Sequence, residues 1–101
     1  MWLIVAFDLP VGTPTERRHA TRFRKSLLDE GFFMKQWSVY LRYFINRAQA
    51  EAATDRIAKI VPAMGNVSVI FVTDRQYGMT RNFTGKAAAE TESKPEQLAL
   101  F

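Results

Sequence analysis

One carboxylate and one cluster of cations carry most of the chemistry that this chain can offer. Asp8 ends the apolar run Trp2-Leu3-Ile4-Val5-Ala6-Phe7 and stands before the turn residues Leu9-Pro10-Val11-Gly12. An ionised carboxylate at the edge of an apolar core is costly unless it is paired or bound to a cation. Two readings are open. Strand-end aspartates commonly form turns or pair with a nearby arginine. Hard cations such as magnesium take carboxylate and water oxygens, so one aspartate with waters can also hold a metal. A two-fold dimer could bring two Asp8 groups together, and their repulsion would favour a shared cation or a shared proton.

The cations are Arg17, Arg18, Arg22, Arg24 and Lys25. On a helix, Arg18, Arg22 and Lys25 share one face by i,i+4 and i,i+3 spacing. Guanidinium groups so placed can grip successive phosphates through bidentate bonds; the alternative is a solvated face paired with Asp29 or Glu30. Tyr40, Tyr43 and Phe44 either stack on bases or fill a core or dimer interface. His19 is the single histidine, either a proton shuttle or a surface residue, and it allows no histidine-pair metal site. Cysteine is absent, which excludes disulfides, thiolate metal sites and a cysteine nucleophile. No phosphate-binding loop, dinucleotide fingerprint or nucleophile elbow is present.

The elements that must position these groups follow from periodicity. Residues 2–8 predict a strand apolar on both faces, hence central in its sheet. Thr13 offers an N-cap, Pro14 the first helical position and Glu16 the closing half of a capping box. Ala20, Phe23 and Leu27 then form a buried stripe, and Gly31 ends the helix in a left-handed cap. Residues 32–44 predict a long second strand, interrupted near Lys35-Gln36 and long enough to split or fold back, with Trp37, Val39 and Leu41 on one side and Ser38, Tyr40 and Arg42 on the other. Asn46, with Gln49, caps a second helix whose core face is Ala50, Ala53, Ile57 and Ile60, ended by Pro62 and Gly65. Residues 66–73 are a further strand, and Tyr77 to Phe83 a short extended piece. The order is that of an α+β, ferredoxin-like βαββαβ domain: an antiparallel sheet with two helices on one face, plus a short C-terminal strand.

The chain has 101 residues, enough for one domain, placed at residues 1–84. It is 48% hydrophobic with eight Phe, more apolar surface than one thin core absorbs, which points to a homodimer through the bare sheet face. Residues 1–86 hold 13 Lys and Arg against 7 Asp and Glu, so the body attracts polyanions. No segment reads as a membrane span or signal peptide, and a soluble cytoplasmic protein is expected. Residues 85–101 read as a flexible acidic tail with an apolar tip, in which Leu98, Leu100 and Phe101 are placed to dock on a partner.

Three ordered stretches carry a resemblance: Val5-Ala6-Phe7-Asp8-Leu9-Pro10; Glu16-Arg17-Arg18 with Phe23-Arg24-Lys25 and Leu27; and Gly31-Phe32 through Gln36-Trp37-Ser38-Val39-Tyr40-Leu41-Arg42. Val72-Thr73-Asp74-Arg75-Gln76-Tyr77 adds a fourth. Across residues 2–83 the chain resembles the CRISPR-associated protein two family, the small subunit of the spacer-acquisition machinery, in the variety that accompanies compact type II systems. The resemblance implies a ferredoxin-like homodimer packed through its sheets, with Asp8 meeting its symmetry mate as catalytic residue and Mg2+ ligand. It implies metal-dependent endonuclease activity on single-stranded RNA or double-stranded DNA. It also implies a bridge between two dimers of the CRISPR-associated integrase, on which duplex prespacer DNA is held. Arg17 and Arg18 map to the family's backbone-binding arginines, and Arg22, Lys25 and Arg42 complete the nucleic-acid-binding set. The tail tip would anchor on the integrase; it also resembles the peptide by which replication proteins dock on the sliding clamp. The rival reading is a stand-alone metal-dependent ribonuclease resembling VapD-like toxins.

Overall fold

The computed structural model describes residues 1–85. The elements run β1 (Trp2–Asp8), α1 (Pro14–Asp29), β2 (Phe33–Gln36), β3 (Val39–Tyr43), α2 (Arg47–Ala58), β4 (Asn66–Val72) and α3 (Asp74–Gly78). The sheet order is β2-β3-β1-β4 and every pairing is antiparallel, the ferredoxin-like arrangement expected. No helix among the described residues is long and apolar enough to cross a membrane.

Strand alternation divides β1 between two faces. Leu3, Val5 and Phe7 are buried and share one core with Phe23 and Leu27 of α1 and Ala50, Ala53 and Ile57 of α2. Both helices therefore cover that face. Trp2, Ile4 and Ala6 are half-buried on the other. Register extends this second face: Ile4 stands between Leu41 of β3 and Ile70 of β4. Leu41 is 1% exposed yet lies outside the helix-side core, whereas Ile70 is 46% exposed.

The ends of α1 form as its sequence dictates. Thr13 Oγ1 accepts from the Glu16 N–H at 3.1 Å, and Glu16 Oε1 accepts from the Thr13 N–H at 2.9 Å. At the other end the Phe32 N–H donates to Leu27 O and the Gly31 N–H to Leu28 O, both at 3.0 Å, the paired bonds of a Schellman cap. Gly31 has φ +87°, and a Cβ there would meet Arg42 Nε at 3.2 Å. Gly31→Ala is therefore expected to lower stability by about 1–2 kcal/mol, the cost of a left-handed L-residue, read by chemical denaturation; an unchanged midpoint would show that the cap relaxes freely.

Three expectations are corrected. The second strand segment does fold back as the βαββαβ order requires, but it turns at Trp37-Ser38 rather than breaking at Lys35-Gln36, with Ser38 at φ +65° and a bulge between Met34 and Gln36. Val39 and Leu41 do share the open face and Tyr40 and Arg42 the other, but Trp37 belongs to neither. Ile60 is 37% exposed rather than in the core, because α2 stops at Ala58 and tightens through Lys59 N–H to Arg56 O and Ile60 N–H to Ile57 O. The extended piece expected from Tyr77 begins in α3, started by a capping box between Thr73 and Gln76. Tyr77 then stacks on Trp2 at 4.2 Å between ring centroids. No strand follows among the described residues. The expected acidic tail and its tip residues Leu98, Leu100 and Phe101 lie outside the described residues.

Candidate nucleic-acid interface and metal ligand

Asp8 closes β1 opposite Asn66 of β4. By alternation it falls on the same face as Trp2, Ile4 and Ala6, at the rim of the face the helices leave open. Its side chain is exposed. The carboxylate is therefore solvated, and the expectation that apolar surroundings press it toward a cation is corrected: no desolvation has to be offset. It forms no ion pair or hydrogen bond among the described residues. No group of three or more metal-ligating side chains occurs among them either. One chain thus offers Asp8 without a closed set of protein ligands around it. That suits magnesium, which keeps several waters and takes one or two carboxylates, and does not suit an ion needing a closed protein cage.

The basic residues of α1 lie opposite its buried stripe. Arg17, Arg18, Arg22 and Lys25 are exposed. Arg17 Nη1 donates to Val11 O at 3.2 Å and Arg18 Nη2 to Thr15 Oγ1 at 3.3 Å, local bonds that steady the side chains and leave their charge unpaired. Two neighbouring carboxylates are engaged elsewhere, and the third, Asp29, is exposed and pairs with none of these cations. Glu16 closes the N-terminal cap, and Glu30 binds Arg56 through Nε at 2.9 Å and Nη2 at 3.0 Å. That carboxylate raises the Arg56 guanidinium above its ordinary value. No cation of α1 has an ion pair among the described residues, so the paired solvated face is not what the structure holds.

Arg42 stands apart from this group. It lies on the helix-covered side of β3, half-buried. Its Nη1 donates to Glu30 O at 2.5 Å, and its guanidinium sits 4.4 Å from the centroid of the Phe44 ring. It caps the negative end of α1 and does not join the phosphate-facing row. His19 is exposed and borders a small cavity of about 100 Å³ with Leu9, Pro10, Glu16 and Met64.

The aromatic expectation divides. Tyr40 and Phe44 are buried in the helix-side core and present no ring to a base. Tyr43 is part-exposed on the open face, its hydroxyl donating to Asp74 at 3.4 Å. The residue that sequence reasoning missed is Trp37, 73% exposed at the hairpin tip, with the Arg24 guanidinium 4.7 Å from its ring centroid. Strand alternation groups Trp37 with Val39 and Leu41, so only the position of the turn reveals its exposure.

Residues 1–80 match the family model described as CRISPR associated protein Cas2. Over 101 residues, all of this chain, it is 46% identical to a CRISPR-associated endoribonuclease Cas2 of Flavobacterium psychrophilum, covering 88% of that protein. It is 44% identical to one of Parvibaculum lavamentivorans, with both chains covered fully. The backbone is similar to the crystal structure of Streptococcus pyogenes Cas2 at pH 6.5, with a TM-score of 0.63 over 83% of this chain and 100% of that one; at 16% identity this is a likeness of fold. The chain belongs to the CRISPR associated protein Cas2 family.

Proposed function

We propose that this chain works in CRISPR adaptation as a homodimer that bridges integrase dimers and holds duplex prespacer DNA by its backbone, with magnesium-dependent endonuclease activity centred on Asp8. The observation that carries the reading is the row Arg18, Arg22 and Lys25, exposed on α1 with no carboxylate partner among the described residues. Charge that the fold leaves uncompensated on a rigid, well-capped helix suits a repeating anion, and phosphate spacing is indifferent to base sequence. The open apolar face around Ile4 and Ile70 supports the dimer, because a second copy would cover it and bring a second Asp8 to the same rim. The names of the relatives, CRISPR-associated endoribonucleases, add single-stranded RNA as a substrate of the same site.

Within this reading each residue has one task. Asp8, with its counterpart in the second copy and waters, would hold the cation. Magnesium bound there would supply a Lewis acid for the scissile phosphate and lower the pKa of a coordinated water. Arg17, Arg18 and Arg22 bind non-bridging phosphate oxygens and fix the strand against that rim. The described residues hold no group of three or more His, Asp or Glu side chains, so no general base is assigned besides the water held at the cation.

The test is co-purification with the cognate integrase, together with duplex binding measured across a salt series. Wild-type protein is expected to co-elute with integrase and to lose affinity steeply with salt. Arg18→Ala with Arg22→Ala removes four guanidinium groups from a dimer. It should flatten the slope of log affinity against log salt by about four, near one for each phosphate no longer neutralised. Co-elution failure, or an unchanged slope in the double variant, would count against the proposal.

A further inference from the structure

We propose that Trp37 and Arg24 form a stacking platform for an unpaired nucleobase, at the end of the nucleic acid strand whose phosphates follow α1. The proposal rests on the nucleic-acid reading above and extends it to a substrate feature, a single-stranded end or segment.

Trp37 occupies an unusual place for an indole. It sits at the tip of the two-residue turn between β2 and β3, not on a strand face, and 73% of it is exposed. Exposing so much apolar area forfeits stabilisation that burial would supply. The turn is nevertheless held firmly. Ser38 takes φ +65°, and its carbonyl accepts from the Phe7 N–H at 3.1 Å, which ties the tip to β1. The ring is thus presented on a fixed support.

Arg24 defines what kind of molecule fits there. Its neighbour Phe23 is buried in the core, so the helix turn that carries Arg24 is anchored. The Arg24 guanidinium lies 4.7 Å from the Trp37 ring centroid. Its Nε is shielded from solvent without a hydrogen-bond acceptor, and the electron-rich ring face is the partner that offsets this. Its terminal nitrogens make no hydrogen bond or ion pair among the described residues. They are available to a phosphate while the indole meets the attached base. Arg17 lies seven residues, or about two turns, before Arg24 on the same flank of α1. Arg17 and Arg24 therefore mark a flank that leads to the ring, beside the outward face of Arg18, Arg22 and Lys25.

An apolar protein partner would use the indole but has no use for an unneutralised guanidinium stacked on it. A blunt duplex satisfies the guanidinium but keeps its base faces inside the stack. A strand with an unpaired base uses both, since every base has a π-face and brings its own phosphate.

The experiment compares three probes with full-length protein by fluorescence anisotropy: a blunt duplex, the same duplex with a 3′ thymidine overhang, and oligothymidylate alone. Wild-type protein is expected to prefer the overhang duplex to the blunt one. Trp37→Ala should weaken overhang and oligothymidylate binding by about 5- to 150-fold, the range for one or more stacked bases, and leave blunt-duplex affinity within about twofold. Trp37→Phe should keep most of the preference. The salt slope should be unchanged in both variants, because no charge is removed. Equal weakening on blunt and overhang duplexes, or none on the overhang, would overturn the platform while leaving phosphate binding in place. Loss of integrase co-elution in Trp37→Ala with all three probes unaffected would assign the indole to the protein partner and overturn it as well. Failure of wild-type protein to bind any probe would overturn the nucleic-acid reading and the platform together.

Discussion

Asp8→Ala should leave the protein folded and abolish magnesium-dependent cleavage. Both halves follow from where the residue sits. Asp8 is the last residue of β1, exposed, with no hydrogen bond or ion pair among the described residues to lose. Its removal should change stability by no more than about 0.5 kcal/mol, as for other surface positions. Its role in the proposed chemistry admits no substitute, because in that reading each chain brings this one carboxylate to the cation. The loss should exceed the about 10–100-fold that follows when a group merely supporting a metal ligand is removed. Asp8→Asn, which keeps the shape and a carbonyl oxygen but lacks the charge, should behave almost alike. Cleavage of single-stranded RNA and of duplex DNA over a magnesium titration, with melting curves for each variant, decides the matter. Full activity in clean Asp8→Ala protein would remove this carboxylate from the reaction. Duplex affinity should survive the change, since it resides in the arginines.

The largest effect on the fold itself is expected at Phe23. It is 2% exposed, and its ring meets Phe7 edge-on at 5.1 Å, while Phe7 in turn leans on Tyr40 at 5.6 Å. Truncation to alanine removes one member of a chain of three aromatic rings that joins α1 to β1 and β3. Phe→Ala in a core costs about 3–5 kcal/mol, and domains of this kind hold only about 5–15 kcal/mol in all. Urea denaturation should therefore show Phe23→Ala near the edge of folding at room temperature. A loss below about 1 kcal/mol would mean that α1 is not seated on the sheet through this ring. Nucleic-acid affinity should fall with stability, because the same helix carries the phosphate-facing arginines on its opposite side.

Much of this architecture is legible in the residues because local signals and burial agree. Thr13, Pro14 and Glu16 start α1, Ala20, Phe23 and Leu27 set its buried side, and Gly31 with φ +87° ends it. Each is a choice that backbone chemistry nearly forces. The hairpin was harder. Trp37-Ser38 contains none of the glycine, proline or asparagine that usually marks a tight turn, and Ser38 adopts a positive φ only because β1 holds its carbonyl. Tertiary context therefore decides where that turn falls, and a reading limited to neighbours along the chain places the break just before it, near Lys35-Gln36. The capping box at Thr73 and Gln76 was legible and outweighs the aromatic and β-branched residues around it.

The site divides along the same line. Residue type and spacing are enough to pick out Asp8 and the α1 arginines. Which carboxylates remain free to neutralise those arginines depends on contacts far apart in sequence, such as Glu30 with Arg56, 26 positions on. Arg42 illustrates the same limit. Its place in a strand beside a basic helix suggests a shared ligand, yet the helix end it faces supplies an acceptor first.

That engagement of Arg42 has a kinetic consequence. A helix ordinarily presents a negative pole at its last carbonyls, and here a guanidinium screens it, so the last turn of α1, which has no basic residue of its own and ends on the exposed Asp29, is less negative than the bare helix end would be. An approaching polyanion would thus be drawn toward Arg17, Arg18, Arg22 and Lys25 and meet a weakened repulsion at the end of the helix. Such fields raise encounter frequencies by about 10–10³ and fade as ionic strength rises. In the proposed complex, speed of capture and duration of holding would then be governed separately: the long-range field would set arrival, and the short contacts at Arg17, Arg18 and Arg22 would set release.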